Sequence, residues 1–220
     1  MDLPERMSGV VLTGHGGPEM LEWREDLKVP LPAKGEVVIR VAAAGVNNTD
    51  INTRIGWYSK SGGAADDAAW TGEPLAFPRI QGIDVCGRIV ALGDGVEAAR
   101  LGERVLVEPC LREARGKDLT SPWFVGSECD GGFAEYVAVA SRHAYAVDSN
   151  MTDVELASFP CSYSTAENML TRAGLREGET VFVTGASGGV GSAAIQLARA
   201  RGATVIAVTS GAKAETLKAL

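Results

Sequence analysis

The chain has 220 residues, 45% of them hydrophobic, which is enough to build one large or two modest globular domains. Its net charge of -7 argues against broad binding to nucleic acids or anionic membranes, because both need a basic protein face. The sequence carries no recognisable signal peptide and no apolar stretch of membrane-spanning length. We therefore expect a cytoplasmic protein, and we expect its four widely spaced cysteines to be reduced thiols.

The chain up to about Val147 consists of short β-rich runs separated by Gly, Pro and Asp. Regular runs of this kind predict a mostly antiparallel sandwich or barrel. They cover residues 10–12, 36–42, 87–92, 104–108 and 133–139. Two polar insertions, residues 59–74 and 111–126, interrupt the runs and are predicted to be surface loops.

After Val147 the apolar residues change to a helical period. Residues 153–170 predict two short helices that meet at Pro160, since proline interrupts a helix. A strand at 180–184, a helix at 188–201 and a strand at 203–208 follow and form the start of an α/β domain. The predicted domains are 1–147 and 148–220.

A glycine-rich turn, GASGGVG at residues 185–191, lies between the predicted strand and helix. This context is typical of a dinucleotide site, where glycines let the backbone approach a pyrophosphate at the N-terminus of a helix. The alternative is a tight turn without a ligand. The predicted cofactor-binding residues in this turn are Gly185, Gly188, Gly189, Val190 and Gly191.

The residues after the second strand, Thr209 to Lys213, bear on the choice of cofactor. An NAD-specific site usually places a carboxylate there to accept from the ribose 2′-hydroxyl, and none is present. Ser210 and Lys213 could instead bind a 2′-phosphate, which favours NADPH. The alternative is a helix cap followed by a solvated lysine.

Motifs along nearly the whole chain resemble the medium-chain dehydrogenase/reductase superfamily, in particular its zinc-free branch similar to quinone oxidoreductases. The motifs are VVLTGHGGPEMLEWRE, GEVVIRVAAAGVNNTDINTRIGWY, FPRIQGIDVCGRIVALGDGV, GGFAEYVAV and FPCSYSTAENML, the last leading into VFVTGASGGVGSAAIQLA. The resemblance implies an N-terminal GroES-like β-barrel domain followed by the first βαβ part of a Rossmann domain, with the active site in a cleft between them.

The same resemblance predicts that no metal is bound. Related zinc enzymes have cysteine where Asn47 stands and histidine where Ile83 stands, and only Cys161 keeps a sulfur at a ligand position. A catalytic zinc needs three protein ligands. A non-standard site formed by Asp84, Cys86 and Cys161 is the alternative.

Without zinc, hydride transfer depends on hydrogen bonds to the oxygen that gains charge, which suits quinones and α,β-unsaturated carbonyl compounds. Asn48 and Asp50 match the family segment beside the nicotinamide and the substrate, and Tyr58 follows closely enough to share the cleft. Thr165 matches a threonine that packs beside the nicotinamide ring. The alternatives are helix capping for the 47–49 segment, packing for Tyr58 and a helix N-terminal position for Thr165. His15 and His143 lie outside these segments, and surface or capping roles are expected for them.

The resemblance further predicts that the chain, which stops at Leu220, is C-terminally truncated within its Rossmann domain. The leading hypothesis is an NADPH-dependent reductase of a small-molecule quinone or unsaturated carbonyl compound. A zinc-type alcohol dehydrogenase and a nucleotide-binding protein without turnover are the alternatives. Whether the protein is a homo-oligomer stays open.

Overall fold

A computed structural model describes residues 3–58 and 74–220 of the chain. These residues form two compact units, 1–160 and 161–220. The units divide after Pro160, later than the domain boundary predicted at 147/148, because helix Asp153–Leu156 packs against strands of the first unit. Most of the insertion predicted as a loop at 59–74 lies outside the described residues.

Among the described residues, the first unit contains antiparallel β-strands and two short α-helices. A three-stranded sheet has the order β2-β1-β4, a five-stranded sheet the order β10-β6-β5-β3-β9, and β7 pairs with β8. The strands are β1 (Arg6–Leu12), β2 (Leu21–Lys28), β3 (Glu36–Gly45), β4 (Arg79–Ile80), β5 (Asp84–Leu92), β6 (Arg104–Val107), β7 (Cys110–Ala114), β8 (Lys117–Phe124), β9 (Tyr136–Ala140) and β10 (Ala144–Ala146). The helices are α1 (Asn48–Arg54) and α2 (Asp153–Leu156).

Strand β3 lies at the centre of the main core, between β5 and β9. Val37 and Ile39 point into that core, as the period-2 alternation predicts. Val38, on the opposite face of the strand, is also fully buried. The first half of β3 is therefore covered on both faces, and this rigid strand leads directly into α1.

The insertion at 111–126 is a β-hairpin, so its prediction as a surface loop is wrong. Strands β7 and β8 meet at a two-residue turn in which Arg115 and Gly116 have φ angles of 53° and 70°. Two positive φ angles suit a tight hairpin, because they match the twist of the strands. Leu111 is buried in the main core, and Trp123 packs against it. Apolar contacts thus outweigh the polar composition of this segment.

His143 is buried, so its predicted surface position is wrong. Its Nε2 accepts a hydrogen bond from the backbone N–H of Arg112 in β7 at 2.9 Å. Burial and the neighbouring guanidinium groups of Arg142 and Arg112 lower the pKa of His143 below 6.5. The imidazole therefore attaches the β7–β8 hairpin to the rest of the unit in its neutral form.

We expect the free energy of unfolding to decrease as the pH falls below about 6.5. Because the folded-state pKa of His143 is lowered, the unfolded chain binds more protons in this range. Urea unfolding between about pH 5 and pH 7.5 measures the effect. His143→Gln, which cannot be protonated, should reduce the slope. An equal slope in wild type and His143→Gln would contradict this assignment.

The second unit is the start of an α/β fold. It contains α3 (Pro160–Ala173), β11 (Thr180–Val183), α4 (Gly189–Ala200), β12 (Thr204–Ala207) and α5 (Ala214–Lys218). The two strands are parallel, and α4 packs on one face of them and on α3. Gly202, with a φ angle of 74°, ends α4 as predicted, and Pro160 separates α2 from α3 as predicted. Within residues 3–58 and 74–220, no helix has both the length and the apolar character needed to cross a membrane.

Candidate functional site

The carboxyl group of Asp50 is buried in the first turn of α1 and bonds to two backbone segments. Its Oδ2 accepts from the N–H of Asn47 at 2.8 Å, and its Oδ1 accepts from the N–H groups of Gly82 and Ile83 at 3.2 Å and 3.1 Å. The Gln81 side chain donates from Nε2 to the Asp50 carbonyl oxygen at 2.9 Å. Burial raises the pKa of Asp50, and the N–H donors oppose that rise. This geometry joins the start of α1 to residues 81–83 and supports a positioning role for Asp50.

Asn47 precedes α1 and is held by a second buried carboxyl group. Its Nδ2 donates to Oδ2 of Asp84 at 2.6 Å, and Asp84 is 1% exposed. Ile83, beside Asp84 in the chain, is 5% exposed. The Asn47–Asp84 pair is not predicted from the sequence. The signal in the sequence is a carboxylate next to the apolar run of β5, since a buried carboxylate needs a hydrogen-bond partner.

Asn48 and Tyr58 lie at the two ends of the α1 segment. Asn48 begins the helix and is exposed, so its amide is open to a ligand. The phenol of Tyr58 donates to Oγ1 of Thr49 at 3.1 Å, and the Tyr58 hydroxyl oxygen accepts from Nδ2 of Asn52 at 3.5 Å. The structure thus places the three predicted catalytic residues on α1 and the turn that follows it. Their contact with a substrate stays a prediction.

We expect Asp50→Asn to lower the free energy of unfolding by about 1–3 kcal/mol, because the new amide group would replace an accepting oxygen with a donor facing a backbone N–H. Urea unfolding followed by circular dichroism measures the change. The matched control is Asp94→Asn, at an exposed turn position, which should leave stability unchanged. Equal stability of the two variants would contradict the role given to Asp50.

The glycine-rich turn in the second unit has the backbone that the sequence predicts. Gly185 adopts a φ angle of 59°, and Gly188 is the N-cap of α4. A Cβ atom on Gly191 would lie 2.5 Å from the Gly185 carbonyl oxygen, so only glycine fits this close packing of helix on turn. Gly188 and Gly189 are exposed. The N-terminus of this twelve-residue helix is therefore accessible to an anion.

Ser210 and Lys213 follow β12 and are both exposed. Ser210 occupies an N-cap position, but its side chain makes no capping hydrogen bond. The hydroxyl is therefore available to a ligand, in contrast to the alternative of a simple cap. Oγ1 of Thr209 is buried without a hydrogen-bond partner. Thr165 is exposed on α3.

The described residues contain no group of three or more His, Cys, Asp or Glu side chains arranged to hold a metal ion. Cys86, one member of the alternative metal site, is fully buried, and its thiol donates to Oδ1 of Asp153 at 3.6 Å. Burial raises the pKa of Cys86 to about 11, so the thiol is protonated at neutral pH. Arg104 also donates to Asp153, at 2.7 Å, and so holds the carboxylate in place. The geometry supports a packing role for Cys86.

Comparisons with known proteins agree with the fold and the motifs. The family model for the alcohol dehydrogenase GroES-like domain matches residues 33–149. A quinone oxidoreductase of Homo sapiens is 35% identical over 91% of this chain and 52% of its own length. An acryloyl-coenzyme A reductase of Metallosphaera sedula is 35% identical over 93% of this chain and 59% of its own length. A solved structure from Sinorhizobium meliloti 1021, provisionally assigned as an alcohol dehydrogenase, has 49% identity and a TM-score of 0.89, and the match covers 99% of this chain and 61% of that one.

Proposed function

Because the chain belongs to the alcohol dehydrogenase GroES-like family, within the medium-chain dehydrogenase/reductase superfamily, we propose that it serves an NADPH-dependent reduction of quinones or α,β-unsaturated carbonyl compounds without catalytic zinc. Family membership confirms the predicted superfamily and the GroES-like fold. The chain spans about half the length of the human relative it matches. The activity is therefore proposed for the protein as a whole, and its location in the cytoplasm stays a prediction.

The zinc-free proposal rests on the side chains of Asn47 and Ile83. Both stand at positions where related zinc enzymes have ligands. Isoleucine has no atom that can bind zinc, and the Asn47 amide is already bonded to Asp84 at 2.6 Å. This hydrogen bond between Asn47 and the buried Asp84 would have to break before a metal could enter. The direct hydride mechanism needs no such change.

In the proposed reduction of an enone, a hydride would add to the β-carbon, the π electrons would move to the carbonyl oxygen, and the resulting enolate would take up a proton from water. NADPH supplies the hydride when bound. The exposed amide of Asn48 would donate to that oxygen, and stabilisation of developing charge by a fixed donor is a large catalytic term. The phenol of Tyr58 donates to Oγ1 of Thr49 at 3.1 Å, so its O–H would have to turn from that oxygen to the substrate to supply a second donor. Asp50 would keep α1 in register with residues 81–83.

The residues that would hold NADPH are in the second unit. The exposed N-terminus of α4 with Gly188 and Gly189 suits the pyrophosphate, and Gly185, Val190 and Gly191 shape the turn. Ser210 and Lys213 would bind the 2′-phosphate, and Thr165 would pack beside the nicotinamide. In this stretch the first carboxylate after β12 is Glu215, which binds Lys218 at 2.7 Å. This arrangement favours NADPH over NADH.

We expect the chain to bind NADPH at least about tenfold more tightly than NADH, because only NADPH carries the 2′-phosphate that Lys213 would bind. Isothermal titration calorimetry with each cofactor measures the preference. Lys213→Ala should remove most of it, whereas Lys218→Ala, which removes a lysine bound to Glu215, should not. Equal affinities for the two cofactors in wild type would contradict the NADPH assignment.

The reaction itself is tested by NADPH oxidation in the presence of a panel of quinones and enones, before and after treatment with a chelator. We expect turnover that the chelator leaves unchanged, because no step requires a metal. Asn48→Ala should lower kcat by about tenfold or more through loss of a donor to the substrate oxygen. Loss of activity on chelation would contradict the zinc-free mechanism.

Two alternatives predict different results in the same experiment. An alcohol dehydrogenase of the zinc type predicts stoichiometric zinc and oxidation of alcohols, and the family name and the Sinorhizobium meliloti structure favour it. A nucleotide-binding protein without turnover predicts cofactor binding with no oxidation across the panel.

A further inference from the structure

His15, in the loop between β1 and β2, contacts the C-terminal end of α1. Its Nδ1 lies 3.0 Å from the carbonyl oxygen of Thr53 and 3.2 Å from that of Arg54. The backbone N–H of Gly16 donates to the same Arg54 oxygen at 3.0 Å. The imidazole also packs against Phe77. The two rings meet edge to face, and their centroids are 4.9 Å apart. Three separate segments of the chain therefore meet at one imidazole.

Both partners of Nδ1 are carbonyl oxygens, which can only accept hydrogen bonds. Nδ1 must therefore carry the proton in the neutral ring and also in the protonated ring. The last carbonyl groups of a helix have no partner within the helix, and an N–H donor from outside satisfies them. His15 acts in this way as an external cap of α1. This contact agrees with the capping role that is expected for His15 from the sequence.

The residues that follow the capped carbonyl groups form the turn that carries Tyr58. The backbone N–H of Ile55 donates to Ile51, that of Gly56 to Thr53 and that of Trp57 to Asn52. Thr53 thus accepts from both the turn and His15. The position of the turn sets where the Tyr58 phenol lies relative to the rest of α1.

We propose that His15 is a positioning residue, which fixes the turn from Ile55 to Tyr58 through its Nδ1–H and so holds the Tyr58 phenol at the candidate substrate site. The inference deepens the proposed function and rests on it for the role of Tyr58. His15 need not touch the substrate.

Two variants separate the donor from the ring. His15→Asn places an amide N–H near the position of Nδ1 but removes the ring that meets Phe77. His15→Phe keeps an aromatic ring and removes the donor. If the Nδ1–H is the essential group, Asn restores the wild-type behaviour and Phe does not.

Hydrogen exchange of the amides of Ile55, Gly56 and Trp57 reports directly on the turn. We expect about tenfold faster exchange in His15→Phe than in wild type, because the hydrogen bond from the side chain to the helix carbonyl groups is lost. In His15→Asn we expect near wild-type exchange, because the amide N–H keeps that hydrogen bond. Amides of β3, which lies in the main core, should exchange equally in all three proteins. Equal protection of the turn in His15→Phe and wild type would overturn the proposal.

The tautomer gives an independent signature. Nitrogen-15 spectra of the imidazole should show neutral His15 with its proton on Nδ1, and the His15→Asn spectrum assigns the signal, since the chain has only two histidines. A neutral ring protonated on Nε2 would overturn the proposal.

Steady-state kinetics connects the turn to the reaction. We expect His15→Phe to lower kcat/KM for the unsaturated acceptor by about tenfold and to leave the affinity for NADPH unchanged, and His15→Asn to restore the rate. Normal kcat/KM in His15→Phe, with a loosened turn, would show that His15 only stabilises the fold. If wild type itself has no turnover, the proposed function fails, and the exchange and tautomer results still decide whether His15 holds the turn.

Discussion

Both oxygens of the Asp50 carboxylate accept hydrogen bonds from the backbone, and they do so on two segments that are far apart in sequence. One segment leaves β3 and begins α1, and the other leads from β4 into β5. Burying a carboxylate costs free energy unless N–H groups donate to it. If the two segments separated, the Asp50 carboxylate would be left buried without these donors or would become exposed to water. The same constraint brings Asn47 within reach of Asp84 and places Asn48 at the open end of the helix. Much of the candidate site in the first unit follows from this one group.

The short α1 helix is therefore fixed at both ends by groups outside it. At its start Asp50 and Asp84 hold the backbone and Asn47, and at its end His15 satisfies the last carbonyl groups. A helix of seven residues has little stability of its own, because nucleation is costly and few hydrogen bonds repay it. Tertiary contacts at the two ends compensate for that weakness, and they do so in a segment where side-chain orientation would matter for chemistry.

The sequence predicts the second unit closely, because its signals are local. The strand and helix periods, Gly202 at the end of α4 and Pro160 between the helices all act within a few residues, and the structure has each of them. In the first unit β1, β3, β5, β6 and β9 coincide at least in part with predicted runs, but the other strands and the pairing of all of them are not predicted. Pairing depends on contacts between distant residues, which periodicity alone does not encode.

The failures have the same physical origin. The segment 111–126 contains Pro122, several charges and two glycines, which favour a loop. It becomes a hairpin because Leu111 and Trp123 reach an apolar core built elsewhere in the chain. His143 is polar and outside every motif, yet it is buried because it accepts from that hairpin. The predicted catalytic residues come from a motif that fixes where they lie along the chain. Asp84 and His15, which bond to neighbouring residues at the two ends of α1, lie in other motifs, and only the fold shows these contacts.

The buried thiol of Cys86 has a consequence for how motion in the first unit can be observed. It packs with Leu156 of α2 and with Ala157, which follows that helix. Its high pKa removes the reactive thiolate at neutral pH, and its complete burial keeps reagents away. An alkylating reagent can therefore reach this sulfur only after α2 has moved off the sheet. The rate at which Cys86 is alkylated therefore measures how often α2 separates from β5 in the folded protein.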